Sequence, residues 1–366
     1  MLADLERARN LMRAEELDAL LVFSRENVLY LSGFGGVDPM GSGAVLLPVD
    51  DEPTLLQSKS DEFFIPGNAS RDRKFFGDFY VEGATKNQGE FKNLPEGVSK
   101  EIERRRLRRI GIEDNLSVRM YETLRRNVPD SCLITSNILD ELRTIKSDAE
   151  IDRLRRAAGI WEDAVLSVYE RVGESMSELE VANELKAAIA SRGGDCMWVE
   201  MGGLVGVPTF PSEHKLCKGD LLHIDMGALY DGYGADMARD AAIKEPTDKQ
   251  TKINKALTTS LKKTVQSVRA GVKASDIFTV CQQTVRDAGF PQYRRHNVGH
   301  GIGLRCHENP ILTPNSDVEL RAGMVLCIEV PYYIKGVGAF NVEATTAVTE
   351  DANDLLSTLD RDLYVI

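Results

Sequence analysis

Four carboxylates lie inside stretches that otherwise read as buried β-strand, and this is the tightest constraint on what the chain folds into. Asp225 sits in His223-Ile224-Asp225-Met226-Gly227 and Asp236 in Gly234-Ala235-Asp236. Glu329 ends Val325-Leu326-Cys327-Ile328-Glu329, and Glu343 follows Phe340-Asn341-Val342. A carboxylate withdrawn from water carries a desolvation penalty unless something offsets it. A lysine partner is one solution, but no basic residue flanks Glu329 or Glu343 within its strand. Coordination of a cation is the other, and it is favoured.

The spacing makes this geometric. Asp231-Gly232 is a hairpin-turn dipeptide between strand formers. With those two residues as the turn, Gly227 faces Asp236 across the ladder and Asp225 lies diagonally on the same face. Diagonal Cβ atoms are ~7 Å apart, close enough for two carboxylates to share ions ~3.5–4 Å apart, as in two-metal hydrolytic sites. Two solvent-facing aspartates on an edge hairpin would fit this segment alone equally well. Lys335-Gly336-Val337-Gly338 reads as a second turn, and a hairpin centred near Gly336 sets Glu329 opposite Glu343. Like charges facing across a strand pair are destabilising without a cation between them.

Three of the five histidines fall between His296 and His307, in a stretch containing Gly299-His300-Gly301-Ile302-Gly303 and His307-Glu308-Asn309-Pro310. Glycines on both sides of His300 are expected to let its backbone and imidazole approach a ligand closely. His300 is the better ligand candidate, and His307 the better proton donor or oxyanion partner.

The remaining features bound the context. At 366 residues, the chain is expected to form two domains. A net charge of −12, from 45 basic and 57 acidic residues, argues against a nucleic-acid or anionic-membrane partner. Arg104-Arg105-Arg106-Leu107-Arg108-Arg109 has no interleaved aromatics and reads as a solvated helix end or interface edge. The six cysteines show no C-x-x-C spacing and read as reduced core residues of a cytoplasmic protein. No run of ~18 apolar residues marks a membrane span, and Leu2-Ala3-Asp4-Leu5-Glu6-Arg7 reads as a charged helical start, not a signal segment.

Along the chain, Leu5, Ala8, Leu11 and Met12 repeat at helical spacing. Asp18–Phe23, Val28–Leu31, Gly43–Pro48 and Arg109–Asp114 are short apolar or strand-like runs, and Ser32–Gly36 is a loop. Together they predict an α/β unit over about residues 1–140. Ser147/Glu150 and Ser177/Glu180 are capping boxes that open helices. Further helices are predicted at 247–269 and 274–288, with strand-rich segments around 220–243 and 323–349. The boundary is placed near residue 145, giving domains 1–145 and 146–366, the second α+β with mostly antiparallel strands.

At these residues the chain resembles the pita-bread metallopeptidase family of methionine aminopeptidase, aminopeptidase P, prolidase and creatinase. The matching motifs are Asp225-x-Gly227 with a second Asp eleven residues on, Gly299-His300-Gly301-Ile302-Gly303 followed by His307-Glu308-x-Pro310, Gly323-Met324-Val325 leading to Ile328-Glu329, and Val342-Glu343. Leu17–Leu21, Asn27–Phe34 and Glu141–Ser147 resemble the creatinase-type N-terminal domain and its junction. The resemblance implies an α/β creatinase-like N-terminal domain plus an α+β pita-bread catalytic domain, closest to the aminopeptidase P, prolidase and creatinase branch. It implies two divalent ions (Mn²⁺, Fe²⁺, Co²⁺ or Zn²⁺) held by Asp225, Asp236, His300, Glu329 and Glu343, with Asp236 and Glu343 bridging. It further implies that a water acidified by the two cations attacks, that Glu329 accepts its proton, and that His307 stabilises the tetrahedral intermediate. The implied reaction is hydrolysis of a C–N bond in an Xaa-Pro peptide, by an enzyme that forms homodimers.

Three departures bear on substrate. Thr209 stands about where prolidases carry a histidine, Asn341 where they carry an arginine two residues before the last glutamate, and Ala238-Arg239-Asp240 replaces Thr-Arg-Thr. Thr209, His307 and Asn341 are therefore candidate substrate-binding positions. The departures fit either tolerated drift in an ordinary Xaa-Pro peptidase or a small non-peptide C–N substrate, as in the related ectoine hydrolases.

Overall fold

A computed structural model describes residues 3–36, 43–80, 82, 87–202 and 206–366. The chain divides into two compact units, Met1–Arg143 and Thr144–Ile366.

In the first unit the apolar runs become a mixed sheet. Its elements are α1 (Leu5–Ala14), β1 (Ala19–Val22), α2 (Arg25–Ser32), β2 (Ala44–Pro48), β3 (Thr54–Ser58), β4 (Asp72–Phe76), α3 (Leu94–Arg105), β5 (Arg109–Ile112), α4 (Val118–Asn127), β6 (Cys132–Thr135) and α5 (Ile138–Thr144). The strand order is β4-β3-β2-β1-β5-β6. Fully buried Leu21, Leu46, Leu56 and Ile110 pack against Val98, Ile102 and Leu124 of the helices. The apolar run Val28–Leu31 belongs to a helix, which Gly33 closes in the left-handed conformation at φ 81°. The arginine run is taken up within the unit. Arg105 pairs with Asp51 and Asp72, Arg104 with Glu101, and the Arg109 guanidinium donates to the Glu16 carbonyl.

The second unit builds two helix-backed sheets. The capping box at Ser147 opens α6 (Asp148–Tyr169), where the Ser147 amide donates to Glu150 at 2.9 Å, and the Ser177 box opens α7 (Glu178–Ser191). These helices pack on β7 (Asp195–Met201), β8 (Leu221–Tyr230) and β9 (Tyr233–Ala242) around Trp161, Leu185, Met226 and Met237. Next come α8 (Asp248–Ser267) and α9 (Ala274–Asp287). They cover a second sheet containing β10 (Gly299–Gly301), β11 (Glu308–Ile311) and β12 (Val325–Glu329), followed by the small hairpin β13 (Tyr332–Ile334) and β14 (Gly338–Phe340). β15 (Glu343–Val348) and β16 (Asn353–Leu355) complete that sheet, in the order β11-β10-β12-β15-β16. β17 (Tyr364–Val365) returns to edge β9, giving β17-β9-β8-β7. Pairing is antiparallel throughout except β17 on β9. This is the pita-bread arrangement of two α+β halves.

Candidate metal centre

The centre begins with a turn. Asp231 and Gly232 both take positive φ (49° and 83°), the two-residue turn whose twist suits a hairpin. Tyr230 therefore pairs with Tyr233, Gly227 with Asp236 and Asp225 with Ala238, which puts both aspartates on one face of the β8–β9 ladder. Gly227 is needed because a Cβ there would fall 2.1 Å from the Trp198 ring, which lies across the strand.

The second sheet supplies the other groups in register. Glu329 pairs with Glu343, and His300 with Cys327, so His300, Glu329 and Glu343 share a face. The glycines beside His300 serve the strands and not a ligand. A Cβ on Gly299 would lie 2.1 Å from the Cys327 carbonyl oxygen, and one on Gly301 would lie 2.2 Å from that of Asn309. They let β12 and β11 close on β10 from both sides, and that pins the imidazole between them.

The two faces meet. His300 Nε2 lies 3.3 Å from Asp236 Oδ2, while His300 Nδ1 donates to the Gly301 carbonyl at 2.9 Å. That bond fixes the proton on Nδ1 and turns the Nε2 lone pair toward the carboxylate, the tautomer a metal-binding histidine uses. Two acceptors at this separation need a proton or a cation between them. The Cys306 thiol donates to Asp236 Oδ2 at 3.2 Å, and Asn341 Nδ2 donates to Glu343 Oε1 at 2.7 Å.

The electrostatics agree with an uncompensated cluster. Burial first, and then the charge of Asp236, push Asp225 up from 3.8 to about 7. Burial followed by Asp236, Asp225 and Glu329 holds Glu343 well above the ordinary carboxylate range, and Glu329 is raised chiefly by burial. Burial is the largest single influence and disfavours the charged His300 ring, but the bond and charge of Asp236, the Gly301 carbonyl and Glu329 together outweigh it and raise its basicity. Among the described residues no lysine or arginine forms an ion pair with Asp225, Glu329 or Glu343. Four inward carboxylates and one oriented imidazole therefore fit divalent cations, which supply the missing positive charge.

Around this set, exposed His307 packs its ring on His300 with centroids 4.0 Å apart; burial and then the neighbouring His300 lower its basicity. Thr209 is exposed and its backbone and hydroxyl bond to Met201. Asn341 is fully buried, its side chain turned on Glu343 and its amide on Asp240 at 3.1 Å. Asp240 in turn holds His223 Nδ1 at 2.8 Å, so the Ala-Arg-Asp departure comes with a paired histidine on the adjacent strand.

Two features escaped sequence reasoning. Lys146 forms a buried ion pair with Glu308 at 2.9 Å, a link across 162 positions that no local spacing reveals. Cys306 was grouped with core thiols, but only Cys281 and Cys327 are buried, and Cys132 and Cys217 are exposed. The neighbouring His307 was the available signal for Cys306.

Residues 152–350 match the model of metallopeptidase family M24, and residues 5–145 match the creatinase/prolidase N-terminal domain. The chain belongs to metallopeptidase family M24. Like other M24 members it is a metal-dependent peptidase, and the family implies divalent metal ions. It is 27% identical to an Xaa-Pro dipeptidase of Pyrococcus horikoshii over 359 residues, covering 96% of each chain. A solved Xaa-Pro dipeptidase from Bacillus anthracis superposes on this M24 chain with a TM-score of 0.86 at 26% identity, covering 99% of both. The prolidase from Pyrococcus horikoshii OT3 gives 0.85 at 26% identity, covering 98% of this chain and 99% of that one. No helix among the described residues is long and apolar enough to cross a membrane.

Proposed function

We propose that this M24 peptidase is an Xaa-Pro dipeptidase or aminopeptidase, with residues 146–366 as its catalytic domain and 1–145 as its creatinase-like domain. It would carry two divalent ions, drawn from Mn²⁺, Fe²⁺, Co²⁺ and Zn²⁺. Asp225 would hold one ion, His300 and Glu329 the other, and Asp236 and Glu343 would serve both. The observation that carries this reading is His300 Nε2 facing Asp236 Oδ2 at 3.3 Å while Nδ1 is committed to Gly301. When bound, the ions acidify a water and polarise the scissile carbonyl.

The chain's own residues do the rest. Glu329 accepts the proton of the attacking water. His307, at the open side of the cluster, donates to the oxygen that gains charge. Asn341 holds Glu343 in place through its amide. Thr209 and His307 flank the approach of substrate. We further propose a homodimer working in the cytoplasm; the relatives named as Xaa-Pro dipeptidases and the free cysteines support the peptide substrate and a reducing compartment respectively.

A second reading, hydrolysis of a small non-peptide C–N substrate of the ectoine type, is favoured by two departures in the sequence. Thr209 cannot donate as an imidazolium does, and Asn341 brings no charge for a substrate carboxylate. Metal analysis combined with assays on Ala-Pro, a longer Xaa-Pro peptide and ectoine separates the two. Two bound ions with turnover of a prolyl peptide is the expected result. Two bound ions with turnover of ectoine alone would overturn the peptide specificity.

A further inference from the structure

Cys306 stands immediately before His307, and its thiol is half-buried against the carboxylate cluster instead of the apolar core. Its Sγ lies 3.2 Å from Asp236 Oδ2, the same oxygen that His300 Nε2 approaches at 3.3 Å. His307 completes the group by packing on His300. One ligand atom from each of Asp236, His300, Cys306 and His307 lies within 4.8 Å of all the others.

Two imidazole nitrogens, one sulfur and one carboxylate oxygen are a donor set that zinc takes in tetrahedral geometry. Bond lengths of about 2.0–2.3 Å place such donors roughly 3.3–3.8 Å apart; two pairs here already lie at 3.2 and 3.3 Å, and all lie within 4.8 Å. We propose that these four residues form a thiolate-containing site for a borderline-soft divalent ion, Zn²⁺ or Co²⁺. The inference rests on the proposed metal centre, which shares Asp236 and His300; His300 Nε2 can hold one ion at a time, so an ion here takes the place of the one His300 and Glu329 would hold. On binding, the thiol proton leaves to solvent and a sulfur–metal bond forms, with no change in oxidation state. The His307 imidazole is then occupied and cannot serve the substrate, so an ion held here and a productive substrate complex exclude one another.

Cys327 is the competing thiol and the less suitable one. It donates to the Asp236 backbone carbonyl at 3.4 Å, and its candidate partners are carboxylates alone, Asp236 and Glu343. The donor set around Cys306 is the one rich in nitrogen, which borderline-soft ions favour.

The test is anaerobic titration of the metal-free full-length protein with Co²⁺, followed by absorption. The wild type is expected to show visible ligand-field bands together with a near-ultraviolet thiolate-to-cobalt charge-transfer band. Cys306→Ser should keep the visible bands and lose the charge-transfer band, whereas Cys327→Ser should keep both. Visible bands with no charge-transfer band in the wild type overturn the thiolate site and leave the metal centre standing. A charge-transfer band that disappears only in Cys327→Ser also overturns it. No bands of either kind in the wild type would sink the metal centre itself. A second measurement needs no variant: alkylation of the wild type read by mass spectrometry. Zn²⁺ should slow modification of Cys306 by about tenfold or more, because a coordinated thiolate is not free to attack, while exposed Cys132 and Cys217 react unchanged. Equal rates at Cys306 with and without Zn²⁺ contradict the proposal.

Discussion

Two buried acidic regions of the catalytic half solve the same problem in opposite ways. Glu308 lies against the Lys146 ammonium at 2.9 Å, with both side chains almost wholly out of solvent, and its charge is balanced by the chain itself. Asp236 and Glu343 are buried and Asp225 and Glu329 half-buried beside them, and among the described residues their partners include His300, the Cys306 thiol and the Asn341 amide but no lysine or arginine; withdrawal from solvent raises Asp225, Glu329 and Glu343. The first arrangement is complete and holds the fold. The second is incomplete and calls for cations from outside. A buried carboxylate with an internal partner reads as structure, and a group of them without one reads as a binding site.

The largest expected effect breaks the second region. Asp236→Ala removes the group that touches both His300 and Cys306. Turnover of a prolyl peptide should fall about a hundredfold or more, in line with loss of a shared ligand, while circular dichroism stays native. Turnover retained above about one-tenth of wild type would refute the bridging role.

A matched pair of neutralising substitutions sharpens the contrast. Glu308→Gln strands a buried ammonium and should cost about 3–5 kcal/mol in denaturant unfolding. Glu343→Gln in the metal-free protein removes a carboxyl whose charged form burial and the neighbouring carboxylates already disfavour, so its unfolding free energy should move much less, by under about 1 kcal/mol. Equal losses would mean that both regions are structural.

The pH dependence of the metal-free protein follows from Asp225. Its pKa rises from 3.8 to about 7 on folding, so between those values the native state holds the proton that the unfolded chain releases. Stability of the metal-free protein should therefore decline as pH climbs through that window. Thermal unfolding after dialysis against chelator checks this; a rise in stability across the window contradicts the cluster's like-charge character. The smallest effect expected is at Thr209. Thr209→His should raise prolyl-peptide turnover a few-fold by restoring a donor near the approach, and unchanged kinetics would mean that the position does not contact substrate.

Much of this was readable in the chain because the governing signals are local. The Asp231-Gly232 turn sets the register of Gly227 on Asp236, and the symmetry of the segment about Gly336 sets Glu329 opposite Glu343. The capping boxes at Ser147 and Ser177 open helices where their spacing requires. What escaped depends on pairs distant in sequence. Lys146 and Glu308, or His223 and Asp240, reveal nothing until the strands and helices are in place. The glycines around His300 read as room for a ligand, whereas the room is taken by Cys327 and Asn309, which approach from other strands. Val28–Leu31 is apolar at a length that suits strand or helix, and only tertiary context decides.

The central claim is that the unpaired carboxylates close around two ions. Equilibrium dialysis of the chelator-stripped protein against Mn²⁺, with bound metal counted by mass spectrometry, tests it most directly. The account predicts two ions per wild-type chain and fewer than two in Asp236→Ala. A wild-type chain that binds no ion under these conditions, yet is folded, would contradict it.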